Sequence, residues 1–433
     1  MQLQPLDTLT NPCLDVMNFL NEVPLWYPTA ISFAPGRPSE QFFHVQAHLE
    51  KISRYAALLA EQTGKPLSEV MNQLGQYQKT NGIMNDLVAQ FLQKDEQIQA
   101  SANAIMMTDG CQEGMTILLA GLFKRGRDVL LVLDPTYTGI TGIAAVLDIE
   151  LYPIPTDWHG IDLGLLASAI EQIRSQGKRP RALYVTPDFN NPLGTSMPVE
   201  DRRRLLELAS AQEMLIFEDN AYGMFAYEAE RPPTLKALDR QGVVVYLGTF
   251  SKLLFPSLRL GFLVADQQLL RPDSPIASTL AEELSKVKSF TTVTTSALSQ
   301  AIAGGILLEH GCSLQSIIQE KTAFYHHNRD LMLACLEEHF HGDTLLADTV
   351  SWNRPGGGFF LSVNLPFPFT KALMQQCAQE YGVICCPMSF FSLLHRYENQ
   401  VRLSFSYVSE DEIKQGVFRF WRFVHEQVIK RAN

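Results

Sequence analysis

The chain has 433 residues, of which 46% are hydrophobic and 19% are charged, and its formal net charge is −11 at pH 7. This composition is typical of a globular protein rather than a disordered one, and the length indicates two domains, or one large domain with a smaller one. The acidic balance argues against nucleic acid or an anionic membrane as a general partner, because both bind basic surfaces.

The seven cysteines are scattered and odd in number, and no C-x-x-C pair occurs. Such a pattern favours reduced thiols over a disulfide framework or a zinc site, so we expect no metal.

The N-terminal segment MQLQPLDTLTNP lacks the basic and apolar regions of a signal peptide. No stretch reaches the roughly 18 apolar residues of a membrane span. We therefore expect a cytoplasmic protein.

The first part of the chain has little regular pattern beyond a short helix near residues 14–23 and a strand in PTAISFAPGRP that enters a Gly/Pro turn. From about residue 46 to 300, helical and strand patterns alternate. EGMTILLAGLF is a predicted helix that begins after the DGCQ turn. The predicted strands are the apolar runs DVLLVLD, ALYVTPD, EMLIFED and VVVYLGTF. This alternation indicates a parallel sheet covered by helices, with ligands beyond the carboxyl ends of the strands.

The last third begins with long predicted helices and continues with GGGFFLSVNLP, YGVICCP and QVRLSFSY, which are predicted strands of a second sheet. The amphipathic segment DEIKQGVFRFWRFVHEQVIKR predicts a final helix. We therefore predict an α/β fold: a three-layer αβα large domain with a mostly parallel sheet, and a smaller α/β domain. The predicted bounds are 1–45 for an N-terminal arm that forms part of the small domain, 46–305 for the large domain and 306–433 for the C-terminal small domain.

The segment YLGTFSKLLFPSLRLGF places Lys252 just after a predicted strand, with Thr249 and Ser251 before it and Arg259 seven residues later. In a partly dehydrated pocket a lysine favours its neutral amine, the form that makes a Schiff base with an aldehyde cofactor. The hydroxyls and the guanidinium suit a phosphate dianion. The alternative is a surface Ser-Lys turn with a solvated arginine, but the flanking strand and Arg259 favour the functional interpretation.

This segment resembles the cofactor-lysine signature of the fold-type I, class I/II aminotransferases, which use pyridoxal 5'-phosphate. Five further segments resemble family motifs and occur in the family's order, namely GCQEGM, DPTYTG, PDFNNPLG, EDNAYG and QVRLSFSY. The resemblance covers nearly the whole chain, from about residue 30 to the end. Each motif is moderately specific, whereas six in order are highly specific.

The resemblance implies a role for each matched residue. Lys252 would hold the cofactor as a Schiff base and move protons, Asp219 would pair with the pyridinium nitrogen, and Tyr137 would stack on the ring. Asn191 and Tyr222 would contact the 3-hydroxyl of the cofactor, and Asn191 would also lie beside the substrate. The phosphate would be bound by turn amides and polar side chains, namely Gly110, Cys111, Gln112, Thr249, Ser251, Arg259 and, across a dimer interface, Tyr77. Arg402 would bind the substrate α-carboxylate.

Structural interpretations of four of these residues stay open. Asp219 could cap a helix after its strand, and Tyr137 could simply pack in a core. Asn191 precedes Pro192 and could be only a turn former. Arg402 alternates with apolar neighbours in a predicted strand, so its side chain could be solvated.

The sequence departs from the usual family pattern at three positions. Arg37, beside Gly36 at the expected substrate mouth, stands where many relatives have an apolar residue or one without this charge. It would either bind an acidic or phenolic group of the substrate or form a surface ion pair. Cys111 stands where Ser is common, which leaves the backbone amides but removes a hydroxyl donor, and Leu193 replaces a common Thr. The segments NFLNEVPLWYPTAISFAPGRP and QYQKTNGIMNDLVAQFL resemble the branch with 2-aminoadipate and aromatic aminotransferases. Within that branch, the N-terminal arm and the GRP turn are similar to hydroxyphenylglycine-type transaminases of peptide natural-product pathways.

The implied function is transfer of an amino group between an L-amino acid and a 2-oxo acid in ping-pong half-reactions, by a homodimer with shared active sites. A cyclase, lyase or replacement enzyme with the same cofactor is an alternative, because the cofactor performs the difficult chemistry. A ligand-sensing domain of a transcription regulator is a third hypothesis. Only about 30 residues precede the first recognised segment, which is too few for a DNA-binding domain, and neither nucleic acid nor a membrane is an expected partner.

Overall fold

The computed structural model describes residues 11–158, 160–227, 231–271 and 274–432. Within them lie sixteen α-helices, and none is both long and apolar enough to cross a bilayer. In chain order, helices α1 to α16 span Pro12–Trp26, Val45–Leu49, Lys51–Thr63, Leu67–Gln73, Asn85–Glu96, Cys111–Leu122, Thr138–Leu147, Leu163–Ser175, Val199–Ala211, Leu235–Leu238, Phe250–Leu253, Leu280–Lys288, Ala297–Glu309, Gln315–Leu336, Lys371–Gln376 and Glu410–Ala432.

The described residues also contain sixteen strands, which form one large sheet and three smaller ones. In chain order, strands β1 to β16 span Ile31–Ser32, Ile105–Thr108, Asp128–Asp134, Glu150–Asp157, Gly160–Ile161, Arg179–Val185, Leu215–Asn220, Val244–Thr249, Gly261–Val264, Gln268–Arg271, Ser274–Thr279, Ser351–Trp352, Phe360–Asn364, Val383–Ile384, Cys386–Pro387 and Gln400–Ser404.

The large sheet has eight strands in the order β2-β9-β8-β7-β6-β3-β4-β5. Strands β8, β7, β6, β3 and β4 are mutually parallel, whereas β9 runs antiparallel to both of its neighbours. The four apolar runs of the sequence correspond to β3, β6, β7 and β8, so the predicted parallel sheet is confirmed. Their continuous apolar character follows from burial on both faces.

Strand β3 shows why the large unit has three layers. Leu130 and Val132 pack in one core with residues of α6 and α12, while Val129 and Leu131 pack in another with residues of α8 and α9. Successive side chains of a strand point to opposite faces, so one apolar strand contributes to both cores. The predicted αβα arrangement is therefore present.

The smaller sheet has the order β12-β13-β16-β15, and all of its pairings are antiparallel. The N-terminal segment joins this part of the molecule, because β1 pairs in parallel with β14 through Ile31 and Val383. The predicted strand near the N-terminus is only two residues long, and the predicted helix before it extends over Pro12–Trp26.

Helix α13 continues past residue 305 to Glu309, so the predicted boundary between the large domain and the C-terminal domain falls within a helix. The division into domains stays a prediction.

Candidate active site

A cavity of about 260 Å³ lies beyond the carboxyl ends of the parallel strands. Parallel strands end at the same edge of a sheet, which is why residues distant in sequence meet there. Of the residues predicted for the site, all but Gly110 and Tyr77 line the cavity, namely Gly36, Arg37, Cys111, Gln112, Tyr137, Asn191, Asp219, Tyr222, Thr249, Ser251, Lys252, Arg259 and Arg402.

Lys252 reaches the cavity from the short helix α11, which begins where β8 ends. The Thr249 side chain caps this helix by accepting a hydrogen bond from the Ser251 amide at 3.1 Å. The Lys252 Nζ atom donates to the Gly36 carbonyl at 2.9 Å. Burial, followed by the positive charges of Arg259, Arg37 and Arg402, lowers the pKa of Lys252 to about 8. At pH 7 about a tenth of the amine is therefore neutral, far more than for a lysine of ordinary pKa.

One end of the cavity is suited to an anion. Helix α6 begins at Cys111 without a side-chain cap, and the preceding Gly110 has a φ of 79°. The first amides of a helix of this length favour negative charge. Arg259 adds a guanidinium, with Nη1 3.5 Å from Ser251 Oγ and Nη2 3.4 Å from the Asp109 carbonyl.

Asp219 lies near the end of β7, and its side chain is 6% exposed. Its Oδ2 accepts a hydrogen bond from Tyr184 Oη at 2.5 Å, and its Oδ1 accepts one from Cys111 Sγ at 3.5 Å. Within the described part of the chain, no basic side chain forms an ion pair with it. Burial raises the pKa of Asp219, while the two hydrogen bonds and the charge of Lys252 lower it. The carboxylate contacts the cavity and caps no helix.

The sequence interpretation of Cys111 was incomplete, and Tyr184 was missed. We expected a cysteine at position 111 only to remove a donor, yet its thiol donates to Asp219. Tyr184 belongs to an apolar strand run and is 1% exposed, so nothing in the run distinguishes it from a core tyrosine. The signal lies in the strand register, because Tyr184 pairs with Phe217, two residues before Asp219 on the same face of the sheet.

Arg402 lies on β16 and is 4% exposed, so its side chain is not solvated. The guanidinium carbon lies over two aromatic rings, 4.3 Å from the centroid of Phe360 and 4.7 Å from that of Phe391. It donates to Asn191 Oδ1 and to the Ala34 carbonyl. The Nε atom is buried and has no hydrogen-bond partner among the described residues. Such a planar cation with donor capacity to spare is suited to a carboxylate.

Three further predicted residues lie close to one another in the cavity wall. Tyr137 follows β3 at the start of α7, and burial raises its pKa well above the usual value. Tyr222 follows β7 and packs edge-on against Phe360 at 5.5 Å between centroids; burial raises its pKa, while the neighbouring Asn191 side chain lowers it. The loops that follow β3, β6 and β7 thus bring Tyr137, Asn191 and Tyr222 together.

The mouth of the cavity is formed by the N-terminal segment. Arg37 is exposed there and makes no ion pair with any described residue, while its carbonyl accepts from Ser406 Oγ at 2.6 Å. Helix α1 contributes cavity-lining residues that the sequence did not identify, namely Met17, Leu20 and Asn21. No motif marks them, because only the folding of α1 over the sheet edge brings them there.

Tyr77 lies outside the cavity and is 81% exposed in the single chain. Its predicted role requires a second chain, so it stays a prediction.

Comparisons with known proteins agree with this architecture. Residues 54–420 match the family model "Aminotransferase class I and II". The chain is 42% identical to the (S)-3,5-dihydroxyphenylglycine transaminase of Amycolatopsis orientalis, over 95% of this chain and 92% of that protein. It is 32% identical to aromatic-amino-acid aminotransferase 1 of Thermococcus litoralis, over 92% and 89% of the two chains.

Among solved structures, the Pyrococcus horikoshii kynurenine aminotransferase superposes with a TM-score of 0.81 at 29% identity, covering 98% of this chain and 97% of that one. The expected fold class is thereby confirmed, and the matches give no support to a cyclase or lyase. The family match spans most of the chain and includes every strand of the large parallel sheet. The chain therefore belongs to the class I and II aminotransferases, pyridoxal-phosphate-dependent enzymes that transfer an amino group between an amino acid and a 2-oxo acid.

Proposed function

We propose that this enzyme transaminates an aryl-substituted L-amino acid and that its cavity holds pyridoxal phosphate through three sets of groups. Lys252 Nζ would hold the aldehyde carbon, and Asp219 would pair with the protonated ring nitrogen. The phosphate would be held by the start of α6 and the residues around Lys252, namely Gly110, Cys111, Gln112, Thr249, Ser251 and Arg259. The observation that carries this proposal is that an amine of lowered pKa, a buried carboxylate and an anion-binding helix start face one cavity.

The chemistry of the donor set fits the cofactor at both ends. Asp219 is a buried carboxylate that lacks an ion-pair partner among the described residues, and a pyridinium N–H supplies the missing positive charge. The uncapped amides of α6 and the Arg259 guanidinium supply donors for a dianion. Tyr137 is positioned to cover one face of the ring, and Tyr222 with Asn191 to contact the 3-hydroxyl.

When bound, pyridoxal phosphate acts as an electron sink for the α-carbon of the substrate. Lys252 Nζ removes and returns the α-proton, and its pKa of about 8 suits both directions of that transfer. Arg402 binds the α-carboxylate, which fixes the α-carbon relative to Lys252. The aromatic rings of Phe360 and Phe391 exclude water around that contact and hold the guanidinium plane.

The substrate side chain faces the N-terminal segment. Met17 and Leu20 provide an apolar wall there, and Arg37 provides the polar end. A side chain added at Gly36 would come within 3.0 Å of Phe360, so glycine allows that ring to approach the mouth. An aromatic ring bearing a phenolic or acidic group matches this surface, and the 42% identical relative is named for a dihydroxyphenylglycine. We infer a role in natural-product biosynthesis from the same relative.

Arylglycine donors with and without a ring hydroxyl test the substrate assignment. Keto-acid release from the hydroxylated donor is expected to fall about tenfold or more in kcat/KM in Arg37→Gln, because a charge-assisted hydrogen bond is lost. Unsubstituted phenylglycine is expected to lose much less, because for that donor Arg37→Gln acts only through the lost positive charge near Lys252. Arg354→Gln, which changes an exposed arginine paired only with Asp330, serves as the control. Equal losses for both donors would contradict the role of Arg37, and release of ammonia instead of keto acid would contradict transamination.

Gly110→Ala tests the anion end of the cavity. The added methyl group would lie within 3.0 Å of the Arg259 guanidinium, and the φ of +79° disfavours any residue with a side chain. Affinity for pyridoxal phosphate is expected to fall by about tenfold or more in equilibrium dialysis, which corresponds to about 1.4 kcal/mol. Gly126→Ala is the matched control, since its φ is +71° and nothing lies within 4 Å of the added methyl. Unchanged affinity in Gly110→Ala would show that the phosphate binds elsewhere.

We further propose a cytoplasmic homodimer in which Tyr77 of one protomer reaches the phosphate site of the other. The tyrosine is 81% exposed in the single chain, and Phe290 is 91% exposed, as expected of side chains that a second copy covers. Six cysteines are free thiols, in keeping with a reducing compartment, namely Cys111, Cys312, Cys335, Cys377, Cys385 and Cys386. Sedimentation at micromolar concentration tests the dimer, and a monomer with full activity would contradict it.

A further inference from the structure

The Asp219 carboxylate is held from both sides by protein donors. Tyr184 Oη, from β6, donates to Oδ2 at 2.5 Å, and Cys111 Sγ, from the start of α6, donates to Oδ1 at 3.5 Å. Each oxygen therefore has its own donor on a different structural element. A carboxylate held in this way is fixed in both rotation and direction.

Apart from these two hydrogen bonds, the surroundings of Asp219 disfavour the ionised form of its carboxylate. The side chain is 6% exposed, and Tyr184 is 1% exposed, so water does not solvate the carboxylate from that side. The titratable groups that face it are Tyr184, Cys111, Lys252, Tyr137 and Tyr222. Of these only Lys252 is basic, and its own pKa is lowered to about 8. The hydrogen bonds from Tyr184 and Cys111 are therefore a main stabilisation of the ionised form of Asp219.

Tyr184 is suited to act as a permanent donor. Burial and the neighbouring Asp219 charge raise the pKa of its phenol well above the usual range, so it keeps its proton at any working pH. Its other polar neighbour is the Thr186 hydroxyl, which also lines the cavity. The phenol has one proton to donate, and the hydrogen bond to Asp219 Oδ2 uses it.

We propose that Tyr184 and Cys111 are positioning residues that keep Asp219 ionised and aimed at the ring nitrogen of the cofactor. The inference rests on the proposed pairing of Asp219 with that nitrogen. A hydrogen bond to the charged form stabilises it, so removal of the phenol raises the pKa of Asp219. Asp219 then becomes protonated at a higher pH and loses its preference for a protonated ring nitrogen there. The thiol is the weaker donor, so its removal has the smaller effect.

The test compares the affinity of the full-length protein for pyridoxal phosphate and for an analogue whose ring nitrogen is replaced by C–H. Dissociation constants are measured by equilibrium dialysis between pH 5 and 9, and their ratio isolates the contribution of the ring nitrogen. In the wild type this preference declines on acidification as Asp219 becomes protonated. In Tyr184→Phe the midpoint of the decline is expected about one pH unit higher, and in Cys111→Ala it moves upward by less.

Tyr246→Phe is the matched control, because its buried phenol lies on the neighbouring β8 and hydrogen-bonds to Asn220 instead of Asp219. Its midpoint is expected to stay at the wild-type value. A loss of affinity for both ligands alike in Tyr184→Phe, with an unmoved midpoint, would mean that Tyr184 only packs and would overturn the proposal. Asp219→Asn tests the proposed pairing of Asp219 with the ring nitrogen separately from the roles of Tyr184 and Cys111. If Asp219→Asn kept the wild-type preference for the ring nitrogen, the proposed function itself would be wrong.

Discussion

Lys252→Ala is expected to abolish covalent attachment of pyridoxal phosphate and to lower kcat by roughly 10⁴-fold, the upper end of what one proton-transferring side chain contributes. Lys252 is the lysine whose Nζ lies in the cavity, 2.9 Å from the Gly36 carbonyl, with a pKa of about 8. Alanine removes both the covalent link and the base. The measurement is the visible absorbance of the bound cofactor, followed by mass spectrometry after borohydride reduction.

Lys321→Met is the control for this experiment. Lys321 is 2% exposed, its pKa is also lowered to about 8, and its Nζ donates to the carbonyls of Leu253 and Leu254. It thus shares the burial and the lowered pKa of Lys252 but does not line the cavity. Lys321→Met is expected to melt at a lower temperature and still to bind the cofactor covalently. Survival of the reducible link in Lys252→Ala would refute the assignment of the cofactor lysine.

Much of the site was predictable because strands of a parallel sheet end at one edge. Asp219 and Lys252 each follow a continuous apolar run, and such runs occur where a strand is buried on both faces. The chain order of the motifs then places their polar residues around one cavity. The local sequence is therefore enough to predict that the Asp219 and Lys252 side chains lie at this edge of the sheet, and which chemical groups they bring to it.

Other parts of the site depend on packing between distant segments. Met17 on α1 reaches the cavity because that helix packs against α7, which is distant from it in the sequence. Phe360 and Phe391 enclose Arg402 from two different segments of the small sheet region, and no spacing in the sequence pairs them. Tyr184 has the pattern of a core residue, because the register of β6 against β7 decides what its hydroxyl meets.

The positive charge around Lys252 links binding to catalysis. Arg259, Arg37 and Arg402 all lower the pKa of Lys252, and each has a proposed anionic partner: the phosphate, the substrate side chain and the α-carboxylate. Bound anions neutralise part of this field, so the amine is more basic when the site is filled than when it is empty. The three arginines that are proposed to bind the anionic groups therefore also set the pKa of Lys252.

Arg402→Lys is expected to lower kcat/KM by about 10²- to 10³-fold for amino-acid donors and for 2-oxo-acid acceptors alike. The guanidinium carbon lies over the rings of both Phe360 and Phe391, and the two Nη atoms donate to Asn191 and Ala34. Lysine keeps the charge, but its compact ammonium can neither fill the slot between the rings nor bind a carboxylate through two parallel hydrogen bonds. Both half-reactions should suffer, because the α-carboxylate is present in both substrates.

The decisive measurement pairs each amino acid with the amine that lacks its carboxylate, scored as release of the carbonyl product in a single turnover. If Arg402 acts on the α-carboxylate, Arg402→Lys reduces the preference for the amino acid and leaves the slow reaction of the amine unchanged. Arg329→Lys is the control, because Arg329 is also buried, lies 4.9 Å from the ring of Tyr227 and donates to the Pro355 carbonyl, away from the cavity. Parallel losses for amine and amino acid would mean that Arg402 supports the wall of the site, and the carboxylate would then need another partner.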